Sequence, residues 1–394
     1  DTVLNYHRRS KHHFQRYAAG PQGLAWKNQP DPFRHFSGCA RRELPLLETS
    51  QRPRYADLYQ PGKIAPQALT LNNIAALLEL SFGLSAWKQH GEQRWALRNN
   101  PSSGNLHPTE AYVVVANTRG MEDGVHHYVS RDHLLEQRCR FAGTAATDAH
   151  LLPPDSLLLG LSSIHWREAW KYGERAYRYC QHDAGHGIAA VRYAAAVLGW
   201  QARVLTSWSD ADIGALLGIA RDADFGEAER EHPDVMLRVT ARQFDAADAD
   251  WAYNALLHAA CNGSWQGHAN VLSRHHTHPW PVIDEVARAC TKGETRETAW
   301  QAPARADPVS GGGEQSAVEI IRQRRSAQAF AGVTSLPASA FYRMLDMTLP
   351  RRALPPWDVI GWPPRVHLAL FVHRVEGLLG RDVISTAAAA VRRP

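Results

Sequence analysis

The chain has 394 residues, enough for two or three ordinary domains, and with 44% hydrophobic and 21% charged residues it reads as globular, which excludes a disordered, collagenous or coiled-coil protein. Its formal charge of +5 is spread without blocks, so nucleic-acid binding is not indicated, and no run approaches the ~20 apolar residues of a bilayer span. Five widely spaced cysteines without a C-x-x-C argue against a disulfide framework and a thiolate zinc site; with no apolar leader in residues 1–13, a cytoplasmic location is expected.

Taken along the chain, the first signal is an Arg-Arg-Ser unit, Arg8-Arg9-Ser10, four residues before Phe14. Residues 69–82 place Leu71, Ile74, Leu77 and Leu78 on one face and predict an amphipathic helix that opens near Asn72 or Asn73. Residues 99–108, NNPSSGNLHP, gather turn formers and short hydroxyls directly before a strand predicted over 111–116, a continuous apolar run. Residues 186–200 predict a buried Ala-rich helix stopped at Gly199, 201–206 a strand, and 210–219 a short helix capped by Ser209 or Asp210. Residues 301–315, rich in Pro, Gly, Ala and Ser, read as a linker. Beyond it the Arg-Arg-Ser unit recurs as Arg324-Arg325-Ser326, four residues before Phe330, and suggests one ancestral domain present twice. The fold class is α+β, helices packed on a central sheet.

A loop such as 99–108 exposes backbone N–H groups and small polar side chains, which suits an anionic ligand; a capped helix-to-strand turn is the plainer alternative. Two guanidiniums beside a hydroxyl make a phosphate fork, although a solvated Arg pair is commoner. His275, His276 and His278 look like metal ligands, but a solvated cluster is the stronger reading, and no metal is expected. His186 is read as a helix-start histidine. Trp166, Trp170, Trp200 and Trp208 are read as core residues or as walls of a pocket. No ordered His and Asp partners surround Cys180.

The ordered set of Arg-Arg-Ser, Pro101-Ser102-Ser103-Gly104-Asn105, an Ala-rich helix and the 210–219 segment resembles the FMN-dependent nitroreductase superfamily. Residues 26–34 (WKNQPDPFR), 171–179 (KYGERAYRY) and Gly185-His186 resemble its SagB/ThcOx-type azoline dehydrogenases. The resemblance implies a nitroreductase-like fold with a mainly antiparallel sheet, in which FMN lies between an Arg-x-Ser unit of one copy and the Pro-Ser-Ser-x-Asn loop of another. Residues 1–300 would be the FMN domain, with a connection over 262–300. Residues 316–394 would be a partial second repeat, so that a tandem forms a pseudo-dimer. The cofactor residues implied are Arg8 and Ser10 or Arg324 and Ser326, with Pro101, Ser102, Ser103 and Asn105. The loop is absent near residues 362–364, so one FMN per chain is implied, with Arg324 as the loop's partner.

By the same resemblance Lys171 and Tyr172 would be the base pair that removes a carbon-bound proton from a thiazoline or oxazoline while hydride passes to flavin N5. The substrate would be a small molecule or a modified peptide, with a cyclodehydratase as partner. Two departures from the pattern are Ala189-Ala190, where the family carries Gln-Asn, and the short second repeat, whose end at 384–394 reads as a low-complexity tail; that repeat is either a degenerate lid on the first or is completed by another chain, and a homodimer would then be required for a full site. The alternatives are an NAD(P)H-dependent nitro or quinone reductase and a flavin-free scaffold that docks a peptide or partner enzyme.

Overall fold

The computed structural model describes residues 1–48, 53–142, 151–244, 251, 253–276, 278–298, 300–306, 308, 314–327 and 329–378, and the backbone of 383–386. Its helices are α1 (Thr2–Arg9), α2 (Leu71–Phe82), α3 (His165–Tyr172), α4 (Ala176–Val197), α5 (Asp210–Leu217), α6 (Asp222–Phe225), α7 (Asn254–Cys261), α8 (Pro281–Ala289), α9 (Ala317–Gln323) and α10 (Ala338–Met347). The strands of its first 300 residues are β1 (Phe36–Ser37), β2 (Ala40–Glu43), β3 (Leu84–His90), β4 (Gln93–Arg98), β5 (Thr109–Val115), β6 (Gly124–Val129), β7 (Leu134–Arg140), β8 (Ser156–Ser163), β9 (Gln201–Val204), β10 (His232–Thr240), β11 (Ser264–Trp265) and β12 (His268–Ala269).

One antiparallel sheet organises the molecule, in the order β11-β7-β6-β5-β8-β10-β9, and β2 shares the outer edge of β7 with β11. The run at 111–116 forms β5, buried along its whole length, because both faces of the sheet are covered. Ala111, Val113 and Val115 pack with Ile74, Leu77 and Leu78 of α2 and Val191, Ala194 and Ala195 of α4. Tyr112 and Val114 point the opposite way, toward Ile213, Leu216 and Leu217 of α5 and Leu256 of α7. Alternate residues of one strand thus serve two cores.

Three expectations need correction. The helix expected over 69–82 begins at Leu71 and is capped by Thr70, whose hydroxyl accepts the N–H of Asn73. It is not amphipathic: Ile74 through Phe82 are all buried, because the sheet and α4 enclose it and α9 closes a further side. The Ala-rich helix begins at Ala176, so His186 lies in its middle, not at its start. The 384–394 tail is in part a strand, since Val383–Thr386 pairs with Leu368–Phe371; residues 387–394 lie outside the described residues.

The Gly199 stop holds, with φ of +70°, and α5 is capped as read: the Ser209 hydroxyl accepts the Asp212 N–H, and Gly218 ends the helix in the left-handed region. The described part of 301–315 carries no helix or strand. After it, α9 lies against the first 300 residues, with Ala317 and Val318 sealed in the main core. Arg322 of α9 pairs with the buried Glu79 of α2, whose second oxygen accepts the Leu47 N–H at 2.7 Å.

Candidate functional site

The loop at 99–108 is held from both ends. The Asn99 side chain donates to the Glu79 carbonyl at 2.7 Å, and the Asn105 side chain donates to the Ala96 carbonyl at 2.9 Å. The Ser102 hydroxyl accepts the His107 N–H at 2.8 Å. Gly104, Asn105 and His107 take φ of +60°, +61° and +53°, a left-handed run that Gly and Asn tolerate best. Gly104 has a second reason to lack a side chain: a Cβ there would stand 2.5 Å from the Tyr172 hydroxyl and 3.0 Å from Lys171 Nζ.

A cavity of about 980 Å³ opens above this loop. Pro101, Ser102 and Asn105 line it from the loop, Lys171 from the end of α3, and Arg324 and Ser326 from the chain after α9. Arg324 reaches it because α9 is seated on α2, and its guanidinium donates to the Asn99 carbonyl at 3.3 Å. Loop and arginine, 220 residues apart in sequence, therefore share one wall. Burial, and then the neighbouring Arg325, lower the Arg324 pKa, so a negative ligand would relieve that strain on its charge.

Other sequence candidates lie elsewhere. Ser103 turns away: its N–H and hydroxyl donate to the buried Asp183 at 3.0 Å. Tyr172 packs beneath Gly104 against Tyr179, with ring centroids 4.5 Å apart. Burial pushes its hydroxyl up to about 12. Arg8 and Ser10 do not line the cavity. Helix α1 is bound instead to the turn after α3, where Tyr6 donates to the Glu174 carbonyl, Arg9 pairs with Glu174, and Ser10 accepts from Arg178 at 2.7 Å.

His276 is held by Glu229 at 3.1 Å and stacks on Trp166 at 4.0 Å, and among the described residues no three His, Cys, Asp or Glu converge as metal ligands; Thr277 lies outside them. Trp170 lines the cavity, whereas Trp200 and Trp208 are buried in the two cores. Cys180 is fully buried, and burial raises its thiol well above the usual range.

Sequence reasoning missed much of the wall. The β3–β4 hairpin contributes Trp87, Lys88, Arg94 and Trp95, with the Arg94 guanidinium 4.3 Å over the Trp87 ring. Its signal was available in the alternation of 84–98 around Gly91, whose φ is +58°. The segment 26–34, quoted only for its resemblance, supplies Trp26 and Asp31 to Phe33. Around the lining, Lys88, Arg94, Arg98, Lys171, Arg324 and Arg325 face the single carboxylate of Asp31.

The group implied by the resemblance can be tested against these residues. Asn100 lines the cavity and is almost fully buried, yet among the described residues its Oδ1 has no hydrogen-bond partner. Buried polar atoms without partners are costly unless a ligand satisfies them. Together with the cationic Arg324 and the hydroxyls of Ser102 and Ser326, Asn100 suits an anionic group joined to a flat, hydrogen-bonding ring. The residues present fit FMN.

No protein-family model matches the chain. It is 26% identical over 156 residues, 38% of this chain and 75% of the relative, to a Methanocaldococcus jannaschii protein assigned as a candidate nitroreductase. It is 39% identical over 110 residues to the trifolitoxin-processing protein TfxB of Rhizobium leguminosarum bv. trifolii, a match that spans 25% of this chain and only 29% of TfxB. The crystal structure of a candidate nitroreductase from Anabaena variabilis superposes with a TM-score of 0.67 at 20% identity, covering 98% of this chain and 77% of that one. With its antiparallel sheet packed by helices on both faces, the chain has a nitroreductase-like fold.

Proposed function

We propose that the chain is an FMN-dependent oxidoreductase that dehydrogenates a thiazoline or oxazoline ring in a modified peptide. The observation that carries the reading is the meeting of the Ser102–Asn105 loop, Arg324 and Lys171 on one cavity. Similarity to a nitroreductase-type protein and to a peptide-processing protein supports an oxidoreductase that works on peptides. A cyclodehydratase that forms the azoline is the partner this chemistry requires. In the same reading residues 316–394 are a partial second repeat that lends its arginine to the loop of the first.

When bound, FMN supplies the hydride acceptor. Arg324, Ser326 and Ser102 would hold its phosphate, while Asn100 would satisfy the polar edge of its ring. Trp26 and Trp170, edge to face at 5.5 Å, flank the cavity. Lys171 Nζ donates to the Gly104 carbonyl at 3.5 Å and lies 5.5 Å from the centre of the Tyr172 ring, and among the described residues no carboxylate is hydrogen-bonded to it. Its amine is therefore placed to take a carbon-bound proton. Tyr172, held as a phenol by its surroundings, positions Lys171 and the loop.

The test is an absorbance spectrum of protein loaded with FMN, followed by anaerobic mixing with a thiazoline peptide. Bleaching of the flavin by the peptide is expected. Bleaching by NADPH and not by the peptide would establish the nitro or quinone reductase instead, and failure to take up FMN would overturn both.

A further inference from the structure

Glu168 is unaccounted for by this reading. It lies on α3, three residues before Lys171 and four before Tyr172, so all three share one face of the helix. It is fully buried, and neither of its carboxyl oxygens has a hydrogen-bond partner. Four titratable groups face it: Lys171 and Tyr172 from its own helix, Cys180 and Asp183 from α4. Burial, and then the negative Asp183, raise its pKa far above the carboxylate range, while Lys171 opposes them. Asp183, itself buried, leads outward, since His186 Nδ1 stands 3.6 Å from it and the His186 side chain is 48% exposed.

Resting on the azoline reading, we propose that Glu168 is a protonated positioning residue for Lys171: it yields its proton toward Asp183 and His186 as Lys171 receives the substrate's. The ring carbon next to the carbonyl loses its proton to the Lys171 lone pair. The electrons of that bond form the ring double bond as hydride leaves the neighbouring carbon for the bound FMN, which is reduced; molecular oxygen later reoxidises it. The O–H bond of Glu168 breaks, its proton passes by way of Asp183 and His186 to water, and the new ammonium forms beside a carboxylate. The proton released to solvent is taken up again when oxygen reoxidises FMN and forms hydrogen peroxide, and the Lys171 ammonium returns its proton to Glu168, so a complete turnover releases no net proton.

The experiment compares FMN-loaded wild type with E168Q and K171M. Infrared spectra in H2O and D2O should show a protonated-carboxyl C=O band in the wild type that is lost in E168Q and displaced in K171M. With a thiazoline peptide, E168Q should lose about tenfold or more in kcat, within the range of proton-transfer effects. The acid limb of its pH profile should move to lower pH, with FMN affinity unchanged. A purely structural role would move neither the band in K171M nor the pH profile. A carboxyl band absent from the wild type or indifferent to K171M overturns the proposal, as does an unaltered pH profile in E168Q. If the wild type does not oxidise the peptide, the azoline reading falls, and the infrared comparison alone decides the state of Glu168.

Discussion

Replacing Arg324 by Ala tests which arginine serves the cavity. Among the described residues Arg324 makes one hydrogen bond, to the Asn99 carbonyl at 3.3 Å, so its loss should cost the fold at most about 1 kcal/mol. Toward a phosphate the same guanidinium would make charge-assisted bonds worth about 1.5–3 kcal/mol each. At about 1.4 kcal/mol per decade, R324A should bind FMN about 10 to 150 times more weakly than the wild type. Arg8 lies on α1, away from the lining, and R8A should bind normally. Quenching of FMN fluorescence on titration with each protein reads both constants, and raising the salt should narrow the difference between them. Should R324A bind FMN as tightly as the wild type, or R8A show the larger loss, the placement of the phosphate beside the loop is wrong.

Gly104→Ala combines a φ of +60° with a Cβ 2.5 Å from the Tyr172 hydroxyl. Left-handed strain of about 1–2 kcal/mol plus overpacking of about 1–3 kcal/mol should appear as a lower urea midpoint and weaker FMN binding. Removing Arg322 strands the buried Glu79 carboxylate and should destabilise the protein by about 3 kcal/mol. Because α9 carries Arg324 into the site, R322A should also weaken FMN binding, which R8A should not; stability by denaturant and affinity by fluorescence check both. Asp234, partly buried and bonded to Ser163 at 2.6 Å and Gln181 at 3.2 Å, has its pKa raised by desolvation to about 7. The folded state therefore holds a proton that the unfolded state has lost between about pH 4 and 7, and stability should fall as pH rises through that window, by up to about 4 kcal/mol. Thermal melts from pH 5 to 8 should show this fall in the wild type and a flatter course in D234N.

The elements legible in the sequence were those whose cause is local. The apolar run of β5, the Ser209 cap and the Gly199 stop depend on neighbours in sequence and lie where the pattern put them. Helix α2 misled because Glu79 and Ser81 signal a solvent face, whereas Arg322 and the Leu77 carbonyl supply their partners inside the protein. The start of α4 was hidden because Arg178, Gln181 and His182 look like loop chemistry but sit on a helix face tied to α1 and to Asp234. In the site, the turn residues of 99–108 were visible, but the outward rotation of Ser103 toward Asp183 arises from a contact 80 residues away. Glu168 carried no signal at all, since a Glu in a helical pattern is ordinarily solvated and only the packing of α4 over it removes the water.

The seating of α9 has a consequence for how the molecule handles whatever occupies its cavity. Ala317 and Val318 are embedded among the residues that stabilise the domain, and the cation at 324 follows at the C-terminal end of the same helix. Withdrawing that cation would mean prising a hydrophobic anchor out of the interior, so retention of an anion and cohesion of the chain rise and fall together. A loaded protein should accordingly show slowed amide exchange along α9, a sign of occupancy that needs no chromophore.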